Sequence, residues 1–284
     1  MPWSIYALIS VVSISIASVL QKKLMTKQEK DPLANAIVFQ LLLGLFFFVF
    51  TAFYGFKAID FALYGKYILF STVFWGLSTY MSFKAIKLIG ASDLTIIVSS
   101  SAIFSVIASL LFLKETLTLN QALGIIFILL AVILVNIGIK KNKSLNAKGV
   151  VFGLLVAFFG GIAVVSDVYA MKHNDLNTYI TLMSFTPGIF LFLLSPKSLS
   201  KIKEVVSFKE LKLMIVFTFF YAVQAITYYL AINSGAALSQ MAPISKASIV
   251  LTVFLSFIFL KETENIKTKL FALVVVLIGV FLVG

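Results

Sequence analysis

The 284-residue sequence contains no cysteine, one histidine (His173) and no arginine among its 23 basic residues, and charged residues make up only 12% of it. Without cysteine there are no disulfides, thiolate nucleophiles or Cys-ligated metals, and one histidine cannot build a His-based metal or catalytic cluster unless carboxylates complete it. Because every basic residue is a lysine, no guanidinium fork is available to grip phosphate bidentately. Asp93 and Asp167 are the carboxylates that fall within apolar stretches, too few for the nucleophile and base, or the acidic metal site, of an intramembrane protease or lipid transferase. No glycine-rich GxxxxGK[ST] loop is present to cradle ATP. These absences point away from an enzyme, and no cofactor or metal is expected.

What the chain does have is apolar residues, at 61% hydrophobic with a mean hydropathy of +1.08. That is more apolar surface than a single soluble core of this length can hide, so the bilayer must be the solvent. Apolar runs of about 18 or more residues recur along the whole chain, each long enough to cross hydrocarbon as a helix. They place ten spans near 3–21, 33–55, 66–86, 91–113, 119–139, 149–171, 178–195, 209–233, 237–260 and 266–283. The expectation is an all-α polytopic membrane protein without a soluble domain. Met1-Pro2-Trp3 lacks a charged leader and a small-residue cleavage site, so the first run reads as a retained span. Thr118 with Gln121 and Ser207 with Glu210 have capping-box spacing, while Pro32, Pro196 and the polar stretch 140–148 mark loops. In 198–207, Ile202, Val205 and Val206 sit at helical spacing among Lys201, Lys203 and Glu204, which suits either a short interfacial helix or a basic loop.

A net charge of +12 could suggest nucleic acid, but the lysines lie in short loops between apolar runs, as the positive-inside bias requires. Eighteen fall in the loops after odd-numbered spans and four after even-numbered ones, which puts both termini outside. The expected partners are a small-molecule substrate and the lipid bilayer, with no nucleic acid.

The pentapeptide Phe112-Leu113-Lys114-Glu115-Thr116 recurs as Phe259-Leu260-Lys261-Glu262-Thr263, 147 residues later. Its context recurs too, since both copies close a span that follows an Ala-Ile pair (Ala85-Ile86, Ala231-Ile232) and precede one further span. Gln21-Lys22-Lys23 likewise stands opposite Ala170-Met171-Lys172. The chain therefore divides into a first five-helix repeat at 1–139, a basic linker at 140–148 and a second repeat at 149–284. Five is odd, so the second copy enters the membrane from the other side. Inverted repeats of this kind put a binding site near the midplane, between halves that rock to expose it to each side in turn.

Two inverted five-helix halves, the duplicated Lys-Glu step and Pro243 early in the ninth span resemble the drug/metabolite transporter superfamily, specifically its ten-helix EamA branch. The resemblance covers essentially the whole chain. It implies secondary transport of a small metabolite through a central cavity lined by the third, fourth, eighth and ninth spans, with the first and sixth contributing. Two departures stand against it: Ile96 occupies the first-half position of Pro243, and family members are described with cytoplasmic termini.

Lys246 is the most informative position, since a cation about nine residues into the ninth span costs at least about 2.5 kcal/mol to insert and must face a cavity or a partner. Ser99 is its first-half equivalent, within the run Ser99-Ser100-Ser101. Nucleotide-sugar and organophosphate members of the superfamily also use a ninth-span lysine, so the resemblance favours an anionic group on the substrate, although Gln240 to Lys246 do not spell their motif. The competing reading pairs Lys246 internally with Asp167. Asp167 is in turn a proton or cation coupler, the partner of Lys246, or an end-of-helix residue paired with Lys172. Trp75 and Tyr80 on the third span and Tyr221, Gln224, Tyr228 and Tyr229 on the eighth suit a cavity that holds its substrate by contact area and a few hydrogen bonds, with Tyr221, Gln224 and Tyr228 on one helical face. Tyr80 and Tyr229 fit an interfacial aromatic belt equally well, and Tyr6, Tyr64 and Tyr67 read as belt residues. Of the intramembrane amides Gln40, Gln224 and Gln240, the last two are taken as candidates, as is Pro243. Lys114, Glu115, Lys261 and Glu262 read as loop charges at helix ends, and His173 as a solvated loop residue.

The function this predicts is secondary transport of a small organic metabolite or drug by alternating access, with an anionic or zwitterionic substrate such as an amino acid and a proton or counter-substrate as coupling partner. The protein would act as a monomer or homodimer in a prokaryotic cytoplasmic membrane. A lipid flippase and a non-transporting binding protein are the alternatives that the same architecture can host.

Overall fold

A computed structural model describes residues 2–25, 31–140, 146–196, 199–205 and 208–261, with 267, 271, 274, 275, 278, 279, 281 and 282 beyond them. The linker 141–145, the Ser207–Glu210 box, Glu262 and most of the expected span 266–283 lie outside the described residues. All regular structure among the described residues is helical. The first half contributes α1 (Trp3–Leu24), α2 (Pro32–Tyr54), α3 (Phe61–Leu88), α4 (Ala91–Val98), α5 (Ser101–Phe112) and α6 (Leu119–Lys140). The rest forms α7 (Ala147–Met171), α8 (Leu176–Leu194), α9 (Leu199–Val205), α10 (Phe208–Asn233), α11 (Leu238–Ile244), a 3₁₀ turn (Ser245–Ala247) and α12 (Ser248–Leu260). Six segments of the described residues are long and apolar enough to cross a bilayer. Exposed Phe53, Leu111, Phe112, Leu193 and Phe259 give the outer surface the apolar character of a membrane protein.

Local chemistry sets the helix ends. Asp31, Asp60, Asn146 and Asp175 each accept a backbone N–H of the first turn that follows them, at the starts of α2, α3, α7 and α8. Thr118 and Gln121 make the expected reciprocal box at the start of α6. Residues 199–205 are helical, which resolves the choice left open for the 198–207 connection in favour of a short helix.

Three pairs of helices form the body, with α1 along α10, α3 along α7 and α2 along α8. α2 and α8 run antiparallel and carry an ion pair at each end. Asp31 before α2 meets Lys201 on α9 at 2.8 Å, and Lys57 after α2 meets Asp175 before α8 at 3.1 Å. Burial works against the Asp31 carboxylate, but hydrogen bonds from Lys201 and from the Ala34 and Leu33 N–H groups outweigh it and hold the group below its ordinary value. Asp175 is held down in the same way, with Thr178 and Lys57 outweighing partial burial.

The expected fourth and ninth spans are each broken, and at matching places. α4 and α11 begin 147 residues apart, at Ala91 and Leu238, and α5 and α12 likewise at Ser101 and Ser248. Each second piece ends one or two residues before a lysine in the left-handed region, Lys114 (φ 53°) and Lys261 (φ 57°), a conformation that disfavours any side chain with a Cβ.

Candidate functional site

Both breaks come from sequence chemistry. At the first, Ser100 turns back so that its hydroxyl and its N–H both donate to the Ile97 carbonyl, at 2.7 and 3.2 Å. At the second, Pro243 has no N–H for the helix ladder, and Ser245 Oγ donates to the Ala242 carbonyl at 2.7 Å. A local tightening to a 3₁₀ turn follows and carries Lys246. Glu115 is more than the loop charge it was taken for. Its two carboxylate oxygens accept the N–H groups of Leu238 and Ser239 at 2.9 Å each, so a residue of the first half clasps the start of α11 in the second.

The helices enclose a cavity of about 280 Å³. Lys246 lines it and donates to Ser101 Oγ at 2.8 Å. No carboxylate among the described residues stands within ion-pairing distance of the Lys246 ammonium, so two of its three N–H donors remain for the cavity. The internal pair with Asp167, the competing reading, is therefore not formed, and helix geometry gives the reason. Ser101 abuts α7 at Gly161, where a built Cβ would lie 2.8 Å from the Ser101 carbonyl oxygen. Asp167 comes six residues later on α7, about 9 Å farther along its axis. The hydroxyl that receives Lys246 is also Ser101 rather than the repeat-equivalent Ser99, which lines the cavity nearby.

Asp167 lines the same cavity and is 1% exposed. Four neutral donors from three helices converge on it. Oδ1 accepts from Ser71 on α3 and from Tyr179 on α8 at 2.8 Å. Oδ2 accepts from Trp75 Nε1 on α3 at 2.6 Å and from Tyr229 on α10 at 2.5 Å. Each oxygen is thus occupied twice, and neither Lys172 nor Lys246 is among the partners.

Of the remaining candidates, Trp75, Tyr221, Gln224, Tyr228 and Tyr229 line the cavity, the α10 residues from one helical face. Four others do not line it. Ser100 is engaged with its own backbone. Tyr80 packs under the Lys84 ammonium, 4.6 Å from its ring centre. Gln240 receives the Ala237 N–H at 3.1 Å, closing the start of α11. Pro243 is buried inside α11, where it shapes the break without facing the cavity. Gln40, set aside on sequence, does line the cavity and donates to Thr79 Oγ1 at 2.7 Å. Ser71, Tyr179 and the Gln21–Ser82 hydrogen bond at 3.2 Å were also not singled out. The spacing of Tyr179 after the Asp175 helix cap was the one available signal for that residue. His173 is exposed as expected, and stacks on Tyr64 with 5.4 Å between ring centres.

A solved crystal structure superposes on the chain with a TM-score of 0.73 at 13% identity, covering 98% of this chain and 96% of the other, so the two share a fold. No curated protein matches the sequence. The profile of the EamA-like transporter family matches residues 1–137 and residues 147–284. With a polytopic apolar fold around a cavity that Lys246 and Asp167 both line and the family profile matched over nearly its whole length, the chain belongs to the EamA-like transporter family of the drug/metabolite transporter superfamily, integral membrane transporters of small molecules rather than enzymes.

Proposed function

We propose that the protein is a ten-helix secondary carrier built from two inverted five-helix repeats, 1–139 and 149–284 joined by 140–148, which moves a small organic solute by alternating access through the central cavity. Support for the repeat comes from the matched helix breaks and left-handed lysines at a spacing of 147 residues. The packing supports it as well, because exchanging the halves converts the α1–α10 pair into the α7–α3 pair and leaves α2–α8 as itself.

The observation that carries the functional reading is Lys246, a half-buried cation that faces the cavity with two donors free and no carboxylate of the described residues against it. An ammonium in that setting is completed by an anionic group arriving with the substrate. Ser99, Tyr221, Gln224 and Tyr228 add neutral contacts around it, and Trp75 and Tyr229 reach the cavity through Asp167. Asp167 is the coupling residue in this reading. Its donors come from α3, α8 and α10, so loss of its charge on protonation loosens three helices at once. Trp75 can only donate, so an arriving proton must settle on an oxygen facing a hydroxyl that can turn to accept.

The test is counterflow of labelled solutes by the purified protein in liposomes, with a panel of organic anions, amino acids and cationic drugs. Accelerated exchange of at least one organic anion that Lys246→Ala abolishes is the expected result. Exchange unaffected by Lys246→Ala would overturn the assignment, and exchange of no solute at all would overturn the carrier reading.

A further inference from the structure

The carrier reading leaves an anion and a zwitterion equally open as substrates. The inventory of free hydrogen-bonding groups in the cavity separates them. Unengaged donors are plentiful: two N–H of Lys246, with the Gln224 amide and the Tyr221 and Tyr228 hydroxyls beside them. A charged acceptor is missing. Asp167 is the one carboxylate among the described lining residues, and its two oxygens already take two hydrogen bonds each. Glu115 is committed to the start of α11. The carbonyls of Ile97 and Ala242 at the helix breaks are taken by Ser100 and Ser245. A substrate ammonium entering this space would lose its water and gain only neutral partners, a desolvation cost without a compensating charge.

The aromatic part of the cavity lining says what the uncharged part of the ligand resembles. Phe39, Phe83, Phe217 and Tyr221 form one ring cluster from α2, α3 and α10, and all four line the cavity. Phe39 stacks on Phe217 at 4.8 Å and meets Tyr221 edge-on at 4.9 Å, while Phe83 meets Phe217 edge-on at 6.1 Å. Phe39, Phe83 and Phe217 are almost wholly covered, so the cluster meets a ligand through Tyr221, whose ring they hold in place for an offset or edge contact. Phe83 lies eight residues beyond Trp75 on α3, so the cluster stands about 12 Å from the Asp167 cage along the helix. A cavity of about 280 Å³ has room for a small organic molecule of this kind.

Resting on the carrier reading, we infer that the cavity selects a small organic monoanion, a carboxylate on an aromatic or similarly flat apolar body, and discriminates against the amino acid of the same skeleton. Lys246 holds the carboxylate, the ring cluster holds the body, and no unengaged carboxylate among the described lining residues receives an ammonium.

A charge series on one ring tests this with the intact protein in detergent and in liposomes: phenylacetate, phenethyl alcohol, phenylalanine and phenethylamine. Phenylacetate is expected to raise the unfolding temperature and to compete in exchange at a concentration at least tenfold lower than phenylalanine, with phenethylamine weakest. In Lys246→Gln the preference for phenylacetate over phenethyl alcohol should fall at least tenfold. Phenylalanine or phenethylamine equal to or better than phenylacetate would overturn the inference, as would binding of none of the four. These outcomes leave the carrier reading standing if any other solute is exchanged, and that reading falls only if none is.

Discussion

The two broken helix pairs have the same frame and different chemistry. α4–α5 and α11–α12 start 147 residues apart, break at matching places and end before left-handed lysines. Yet the first presents Ser99 and the second Lys246 to the cavity. The same contrast appears at the cavity's ends, where Gln21 bonds Ser82 on one side and Asp167 bonds Tyr229, whose repeat-equivalent is Ser82, on the other. In the two-repeat reading, a duplicated scaffold supplies geometry twice, while charge is placed once. In the proposed carrier, symmetry provides the rocking motion and its violation provides the chemistry.

The largest way to break this comparison is to remove the charge that lacks a counterpart. Lys246→Ala should lower kcat/KM about 100-fold or more, roughly 2.7 kcal/mol, without lowering the unfolding temperature, because it deletes a half-buried cation that has no ion-pair partner among the described residues. Asp167→Asn should cost about 1–3 kcal/mol of stability, since an NH₂ group then faces one or two of the four donors and Trp75 cannot turn to accept. Combining it with Trp75→Phe should restore part of that loss, read as coupling in a double-mutant cycle of unfolding temperatures.

Packing sharpens the comparison further. Gly161→Ala would drive a Cβ to 2.8 Å from both the Ser101 carbonyl and Phe104, at about 1–3 kcal/mol, with Lys246 displaced through Ser101. Gly160→Ala meets the Ser78 hydroxyl at 3.2 Å and the Trp75 ring at an ordinary 3.7 Å, and should fall within about 1 kcal/mol of wild type. Denaturation in a common detergent compares the two. Glu115→Ala removes both acceptors at the start of α11 and should cost about 1 kcal/mol. The smallest effect belongs to the ion pairs that bracket α2 and α8. Both folded-state carboxylates are held below the ordinary value near 3.8, so their contribution is present above that pH and is lost as the pH falls through the lower folded-state values. An Asp31→Asn, Asp175→Asn double variant should unfold at a slightly lower temperature at pH 7 and converge with wild type in acid.

The polytopic, all-helical apolar character was legible because it rests on hydropathy, which survives any rotation of a helix. The face formed by Tyr221, Gln224 and Tyr228 followed from spacing alone. What could not be read depends on how helices turn against one another. Ser71, Trp75, Tyr179 and Tyr229 reach Asp167 from three helices, and no local pattern announces that convergence. Lys246 missed its repeat-equivalent Ser99 by two positions because a long, flexible stem reaches past the nearest backbone. Glu115 looked like a loop charge because its partners, Leu238 and Ser239, lie more than 120 residues away. Sequence places Ile96 opposite Pro243, so no proline marks the matching place in the first half. The first half breaks as well, through the Ser100 back-bond to Ile97.

The most direct test of the central claim is counterflow of the best-exchanged organic anion by Lys246→Ala and Ser99→Ala side by side, in liposomes of matched protein content. The asymmetry described here predicts a loss of about 100-fold or more for Lys246→Ala and no more than a few-fold change for Ser99→Ala. Equal effects of the two substitutions would contradict it.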